Sequence, residues 1–315
     1  MANVEAAAPP SMACATGGRR FAAFAWGVLA YNLAVILWGA VVRVTGSGAG
    51  CGDHWPLCNG TVTALSPGVH TLIEFTHRVM SGLDLVLVGG LAAWAFRTCP
   101  RGHAVRSGAA LSGVFLITEA LIGAGLVLLK LVARNATAWS QSLHLVNTLG
   151  LVACLTLTAW WASGHAAVRP RGRAAWMGGA GLASFALLGV SGIIAALGDT
   201  LFPARSLAEG WAQDFNPAAS LFLRLRVWHP AIAAAVGLWL LFYALAAAGA
   251  GGMVRRLAYA VLSVLALQMA AGALNLLLLA PVWLQLTHLL LADLLWISMV
   301  LLVAENYKVA PATGR

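Results

Sequence analysis

Eight long apolar stretches divide this sequence, and they constrain its fold more than any other feature. Each is close to or above the length of about 20 residues that an α-helix needs to cross the hydrocarbon core of a bilayer. The stretches are continuously apolar rather than alternating, which excludes a membrane β-barrel and predicts eight transmembrane helices. They occupy residues 21–42, 70–96, 107–129, 137–162, 175–197, 218–247, 256–279 and 282–304.

The composition agrees with an integral membrane protein. Hydrophobic residues make up 61% of the chain and charged residues only 9%, against about a quarter charged in soluble domains. The net charge of +9 does not indicate nucleic-acid binding, because the basic residues form no stripe interleaved with aromatic side chains. They lie instead in short groups between the apolar stretches, where they predict the topology and contact with lipid headgroups.

The basic residues are divided unequally between the two sides of the predicted helices. With a cytoplasmic N-terminus, the inner segments carry twelve Lys and Arg residues and the outer segments six, and Arg78 inside a helix completes the 19. The positive-inside rule therefore predicts a multi-pass protein of the plasma membrane with both termini in the cytoplasm. Residues 1–20 lack the basic and apolar regions of a cleaved signal and are expected to form a disordered cytoplasmic tail.

The segment "GSGAGCGDHWPLCNG", residues 46–60, follows the first apolar stretch and contains two cysteines. The predicted topology places Cys51 and Cys58 on the outer face, where the compartment is oxidising, so a disulfide between them is expected. Such a disulfide can merely stiffen a long loop, or it can belong to a redox or active-site element above the membrane. The spacing alone leaves both interpretations open.

The two halves of the chain resemble each other. "QSLHL" at residues 141–145 recurs as "QLTHL" at 285–289, and "EFTHR" at 74–78 corresponds to "RVWHP" at 226–230. Four helices per half is an even number, so both halves share one orientation in the membrane. We therefore predict an all-α membrane protein with two pseudo-symmetric four-helix bundles, residues 21–162 and 175–304. A cytoplasmic linker at 163–174 joins them, and residues 305–315 form a second cytoplasmic tail.

Each of these four motifs places a histidine roughly two turns below the outer face: His77, His144, His229 and His288. A single buried histidine is most often hydrogen-bonded within its core, but four at one depth, paired by half, require a common explanation. Two imidazoles from adjacent helices can ligate a haem iron from both sides. A zinc or di-iron site is less consistent with the pattern, because it needs further Cys or carboxylate ligands beside each pair.

The halves differ in the residue three positions before the first histidine of each pair. Glu74 precedes His77, whereas Arg226 precedes His229. A carboxylate beside an iron ligand can move protons or stabilise developing positive charge, which would make Glu74 catalytic. In the alternative interpretation, Glu74 pairs with Arg78 at i,i+4 or hydrogen-bonds a histidine nitrogen, and its role is structural.

The sequence resembles the bacterial haem A synthases. The resemblance rests on "GAVVRVTGSGAGCGDHWPLCNG", "EFTHRVMSGL", "QSLHL", "SGIIAALGDTLFP" and "LQLTHLLLADLLW", and it covers about residues 21–304. It implies that His77 and His144 ligate the substrate haem O, and that His229 and His288 ligate a haem b cofactor. It also implies that Glu74 is the catalytic carboxylate and that Cys51 and Cys58 form the loop pair.

The resemblance implies oxidation of the C8 methyl group of haem O to a formyl group by successive hydroxylations. It further implies haem O synthase as the donor and cytochrome oxidase assembly as the acceptor of haem A, and a homo-oligomer is compatible with it. Arg78, Arg226 and Arg43 are candidates for holding the haem propionates or supporting the iron ligands. The family usually has His-Arg in the sixth helix, but Pro230 follows His229 here, so Arg226 or Arg224 is expected to hold the propionates of that half.

Two other functions use the same histidines. A di-haem cytochrome b that carries electrons to or from quinone needs no carboxylate next to one pair and no cysteine-bearing loop. A haem exporter or chaperone would bind one labile haem and oxidise no methyl group. No glycine-rich dinucleotide fingerprint follows a strand in this sequence, so neither a flavin nor a nicotinamide cofactor is expected.

Overall fold

The computed structural model describes residues 18–61, 68–129, 137–167 and 172–307, and over these ranges the regular secondary structure is α-helical. The helices are α1 (Gly18–Val44), α2 (Val69–Thr98), α3 (Ala104–Leu128), α4 (Thr137–Ala162), α5 (Gly172–Leu201), α6 (Leu207–Asp214), α7 (Leu221–Arg226), α8 (Trp228–Ala248), α9 (Gly252–Leu277) and α10 (Val282–Asn306). Within these described ranges, eight spans are long and apolar enough to cross a membrane, with α7 and α8 together forming the sixth. The predicted all-α membrane fold with eight spans is confirmed.

The sixth span differs from the single helix predicted over 218–247. It is interrupted at Val227, between α7 and α8. Pro230 explains the break, because proline has no backbone N–H and its ring clashes with the carbonyl group four residues earlier. Pro230 lies in the first turn of α8, where a missing N–H is tolerated since those donors have no partner inside the helix. The preceding segment also contains α6, a short helix that the sequence pattern did not predict.

The spanning helices pack in two groups that follow chain order. In the first group α1 contacts α2 and α4, and α3 contacts the same two helices; in the second, α8 contacts α5 and α9, and α10 contacts α5 and α9. Contacts of α4 with α5 and α10 join the groups. This packing supports the predicted division into halves, while the pseudo-symmetry axis and the exact boundaries of the halves remain predictions.

The core lies where α4 and α10 meet. Half of the apolar window of α4 and 44% of that of α10 are buried, against 22–33% in the other spans. The indole N–H of Trp296 on α10 donates to the carbonyl of Leu149 on α4 at 2.9 Å and links the two groups. Helices α4 and α10 are therefore the inner elements of the bundle.

The outer helices expose apolar side chains along much of their length, as expected of surfaces that face lipid. Exposed tryptophans stand near the beginnings of three spans: Trp139, Trp176 and Trp283. Tryptophan favours the level of the lipid headgroups. Together with the eight apolar spans, this surface identifies a multi-pass membrane protein.

Candidate functional site

The loop between α1 and α2 carries the predicted disulfide. Cys51 and Cys58 are joined, with an S–S distance of 2.05 Å, and both are buried. Backbone hydrogen bonds from Asn59 to Cys51 and between Cys58 and Thr61 close the loop around the bridge. We call the end of the bundle that carries this loop the disulfide end, and residues 45–61 the disulfide loop.

One face of the first turns of α2 holds the disulfide loop in place. The Ser47 hydroxyl lies 3.0 Å from Nδ1 of His70, and the Thr71 hydroxyl donates to the carbonyl of Gly50 at 2.7 Å. A side chain on Gly50 would overlap the backbone of His70, so only glycine permits this close approach. The loop thus packs against the same helix that carries His77.

Glu74 is on α2, and its side chain is buried under the disulfide loop. The Cys51 N–H donates to its Oε2 at 2.8 Å, and Arg78 donates to its Oε1 at 2.5 Å. Arg78 also donates to the carbonyls of His54, at 2.6 Å, and Leu57, at 2.5 Å. One carboxylate oxygen therefore binds the disulfide loop directly, and the other binds Arg78, which itself binds the loop. The i,i+4 pair of Glu74 with Arg78, which the structural interpretation requires, is present.

The four histidines lie at similar distances from the beginnings of their spans. His77 is eight residues after the start of α2, His144 seven after that of α4 and His288 six after that of α10. His229 lies eight residues after the start of α7. His77 is within electrostatic range of His144, and His229 within range of His288, so the histidines form one pair in each half.

Each histidine ring faces a glycine of the preceding span. A Cβ built on these glycines would stand 3.1 Å from the ring carbon Cε1 in three cases and 3.6 Å from Nε2 in the fourth. At the three glycines with the shorter distance a methyl group would crowd the imidazole, whereas at the fourth it would make an ordinary van der Waals contact. The pairs are Gly39 with His77, Gly192 with His229, Gly272 with His288 and, at the longer distance, Gly123 with His144.

Two of the histidines have a hydrogen-bond partner that fixes the position of the ring proton. Nδ1 of His144 lies 2.7 Å from Oε1 of Glu119, and Nδ1 of His229 lies 2.9 Å from the hydroxyl of Ser191. Because Ser191 donates its own proton to the carbonyl of Leu188, it must accept from Nδ1–H. In both rings the proton is then on Nδ1, and the lone pair of Nε2 is free to bind a metal.

In the other two histidines, His77 and His288, Nδ1 is buried and has no hydrogen-bond partner among the residues that the structure describes. The amide nitrogen of Gln268 lies 3.3 Å from Nε2 of His288. No group of three or more His, Cys, Asp or Glu side chains that could hold a metal ion occurs among the residues described. Paired imidazoles with glycine-lined space suit a haem iron, which takes one ligand on each side of its macrocycle. The donor set therefore fits haem.

The arginines expected near the haem propionates have partners within the chain. Arg226 binds two carboxylates near the disulfide end, Asp199 at 2.8 Å and Asp214 at 2.6 Å. Arg43 donates from α1 to the carbonyl of Ala196, at 3.2 Å, and to the hydroxyl of Thr200, at 3.1 Å. Arg43 thus joins the two halves, and a propionate contact of either arginine stays a prediction.

Sequence reasoning missed Glu119, the carboxylate closest to any of the four histidines in the described structure. One signal in the sequence could have found it. Glu119 stands four residues before Gly123, and Gln268 stands four residues before Gly272. Both glycines face a histidine, so the two halves carry a polar residue at the same sequence position relative to that glycine, charged in one half and neutral in the other.

Comparison with known proteins gives a consistent result. The family model COX15-CtaA, described as cytochrome oxidase assembly protein, matches residues 22–300. A Thermus thermophilus protein named protoheme IX farnesyltransferase is 48% identical over 294 residues, which are 91% of this chain and 48% of that protein. This chain therefore spans about half the length of that relative.

Shorter matches join the chain to proteins named heme A synthase. The protein of Bacillus licheniformis is 38% identical over 128 residues, 40% of each chain. That of Exiguobacterium is 37% identical over 110 residues, 35% of this chain and 36% of the relative. Since the family model covers nearly the whole length, the chain belongs to the COX15-CtaA family of cytochrome oxidase assembly proteins.

Proposed function

We propose that this chain is a haem A synthase, which oxidises the C8 methyl group of haem O to a formyl group by successive hydroxylations. The observation that carries the proposal is the difference between two similar histidine pairs in one bundle. In the N-terminal half Glu119 binds a ring nitrogen of His144, and Glu74 lies one helical turn from His77 on α2. In the C-terminal half the hydroxyl of Ser191 and the amide of Gln268 accompany the pair. The relatives named heme A synthase support it, and they do not favour the cytochrome b alternative.

In the N-terminal half, His77 and His144 would hold the iron of the substrate haem O. The hydrogen bond from Nδ1 of His144 to Glu119 leaves its Nε2 available as a ligand. Glu74 lies one helical turn from His77 on α2, and its buried carboxylate is paired with Arg78. We infer that this carboxylate would stabilise a cationic methylene group or accept a proton from the attacking water. The disulfide loop, fixed to α2, would limit the access of other water to this site.

In the C-terminal half, His229 and His288 would hold a resident haem b. When bound, this group supplies a one-electron redox centre. The chain prepares the site through Ser191, which fixes the tautomer of His229, and through Gly192 and Gly272, which leave space beside the rings. Because both histidines would ligate the same iron, this haem should be low-spin and its spectrum should depend on His229 and on His288.

The proposed setting is the plasma membrane, with both termini cytoplasmic and the disulfide end outside. Haem O is a farnesylated protohaem, so the farnesyltransferase name of the Thermus relative supports haem O synthase as the donor. The family description supports delivery of haem A to cytochrome oxidase assembly. A homo-oligomer is compatible with this arrangement.

Pigment extraction tests the proposal. The chain is produced with a haem O synthase in a bacterial host that makes no haem A, and the haems are extracted and separated. Haem A is expected with the parent chain and absent with the variant His77→Ala, His144→Ala. If the parent yields only haem B and haem O while it binds haem in both halves, the protein is an electron carrier and not a haem A synthase.

A further inference from the structure

Glu119 lies on α3 inside the N-terminal group of helices and is bound on both of its oxygens. Oε1 accepts from Nδ1 of His144 at 2.7 Å and from the Thr148 hydroxyl, and Oε2 accepts from the Asn147 amide at 2.6 Å. The Thr118 hydroxyl donates to the amide oxygen of Asn147 at 2.6 Å. That contact fixes the Asn147 side chain with its NH₂ group toward Glu119, so the carboxylate is held firmly against the histidine.

Of the four paired histidines, His144 alone has a carboxylate on its ring in the part of the chain that the structure describes. His229 has a neutral partner at the same ring nitrogen, the hydroxyl of Ser191 at Nδ1. The counterpart of His144 in helix order, His288, meets the neutral amide of Gln268 at Nε2 instead. Glu119 and Gln268 each stand four residues before a glycine that faces the histidine. The two halves therefore present the same type of ligand in different electrostatic surroundings.

A carboxylate that accepts the Nδ1–H bond of a ligating histidine makes the opposite nitrogen a stronger donor to the metal. A stronger donor stabilises the more oxidised iron and lowers its reduction potential. A neutral hydroxyl at Nδ1 has a smaller effect, because hydrogen bonds to ionised acceptors are roughly twice as strong. The Gln268 amide lies at Nε2 of His288 and does not accept an Nδ1–H bond. The half that carries Glu119 should thus hold iron at a lower potential than the half that carries Ser191 and Gln268.

We propose that Glu119 is a positioning residue that fixes and strengthens His144 as the ligand of the substrate haem, and so sets the iron of the N-terminal half at a lower reduction potential than that of the C-terminal half. This inference rests on the proposed function, because it assumes haem at both histidine pairs. It assigns the chemical difference between the halves to one side chain on α3. Glu74, which binds the disulfide loop, is not needed for this effect.

Redox titration of the purified protein, loaded with haem O in the membrane, tests the inference without measuring haem A. Visible spectra follow the two haems, and the His229→Ala background assigns the signal of the N-terminal half. Glu119→Gln keeps an acceptor for Nδ1–H but loses the charge, so the potential of the N-terminal haem should shift upward. Glu119→Asp keeps the charge and should restore most of the shift.

Ser191→Ala is the matched control, since it removes the partner of His229 and should alter only the haem of the C-terminal half. An unchanged N-terminal potential in Glu119→Gln with both haems bound would overturn the inference. If Glu119→Gln loses that haem, Glu119→Asp decides: haem retained at the parent potential supports the role of charge, and haem lost again shows a packing role and overturns it. Absence of haem at His77 and His144 in the parent chain would instead refute the proposed function.

Discussion

Replacing Glu74 by Gln separates the two roles that this residue can have. The substitution keeps the size of the side chain but removes its charge, and the amide offers only one oxygen where the carboxylate has two. Either the Cys51 N–H or the Arg78 guanidinium then faces an NH₂ group instead of an acceptor. Hydrogen bonds to a charged group contribute about 1.5–3 kcal/mol and neutral ones about 0.5–1.5 kcal/mol, so the disulfide loop should be weakened by about 1–3 kcal/mol.

The expected loss of activity is larger than this loosening explains. A positioned acid or base contributes roughly 10²- to 10⁴-fold to a rate, so Glu74→Gln should reduce haem A formation by about that factor. Haem O or a hydroxylated intermediate should accumulate, with haem still bound in both halves. Pigment extraction and chromatography measure the products, and visible spectra of the purified protein measure the bound haem.

Thr71→Val is the matched control for the loop. It removes the hydrogen bond from the Thr71 hydroxyl to Gly50, which weakens the same loop by about 0.5–1.5 kcal/mol without touching Glu74. The rate at which a water-soluble phosphine reduces the disulfide reports how far the loop has opened in each variant. Thr71→Val should loosen the loop and keep most of the activity.

A catalytic role of Glu74 is refuted if the loss of haem A formation is explained entirely by the opening of the disulfide loop. If both variants lie on one line relating reduction rate to haem A formation, Glu74 anchors the loop and nothing more. If Glu74→Gln makes haem A at the parent rate, Asp84, further along α2, becomes the next candidate. Asp84 is fully buried and accepts from the Asn32 amide at 2.6 Å.

Three further predictions concern the C-terminal half and the disulfide end. His229→Ala should abolish the low-spin haem b spectrum, because one axial ligand is lost; a full spectrum would contradict the assignment. A membrane-impermeant thiol reagent should label Cys51 and Cys58 only after reduction and only from outside, and labelling from the cytoplasmic side would reverse the topology. Gly192→Ala should lower haem b occupancy, since the new methyl group would stand 3.1 Å from a ring carbon of the histidine, whereas Gly179→Ala on the same helix has open space and should not. Equal occupancy in the two glycine variants, measured by haem-to-protein ratio, would show that the ring does not need that space.

The fold was predictable because an apolar run of about 20 residues in a membrane protein forms a spanning helix, so the positions of the apolar runs give the helices. The eight runs and the disulfide pairing follow from composition and from the side of the membrane on which the cysteines fall. The break at Val227 was not predicted, although Pro230 was noticed, because the run of apolar residues continues through it. Apolar side chains indicate that a segment lies in lipid, but they do not indicate where its backbone hydrogen bonds are interrupted.

The repeat between the halves predicted the histidine pairs, and spacing along a helix predicted neighbours on that helix, but other contacts between helices were not predictable. Spacing of three and four residues placed Glu74 beside His77 and Arg78, and the structure contains the pair of Glu74 with Arg78. Glu119 was missed because its histidine partner is on the next helix, 25 residues away in the chain and 2.7 Å away in space. Contacts between helices depend on how the helices rotate against each other, which a hydropathy pattern without amphipathic faces does not determine.

The contact between α4 and α10 also has a consequence for biosynthesis. Of the eight spans described, α10 leaves the ribosome last, yet it is one of the two most buried. Until it inserts, the inner face of α4 meets lipid, and the Leu149 carbonyl lacks the Trp296 indole that it later binds. The N-terminal group of helices would thus be synthesised first, but the inner face of α4 would be fully packed only after α10 inserts. Nascent chains stalled before α10 should therefore be substrates for membrane proteases rather than half-active intermediates.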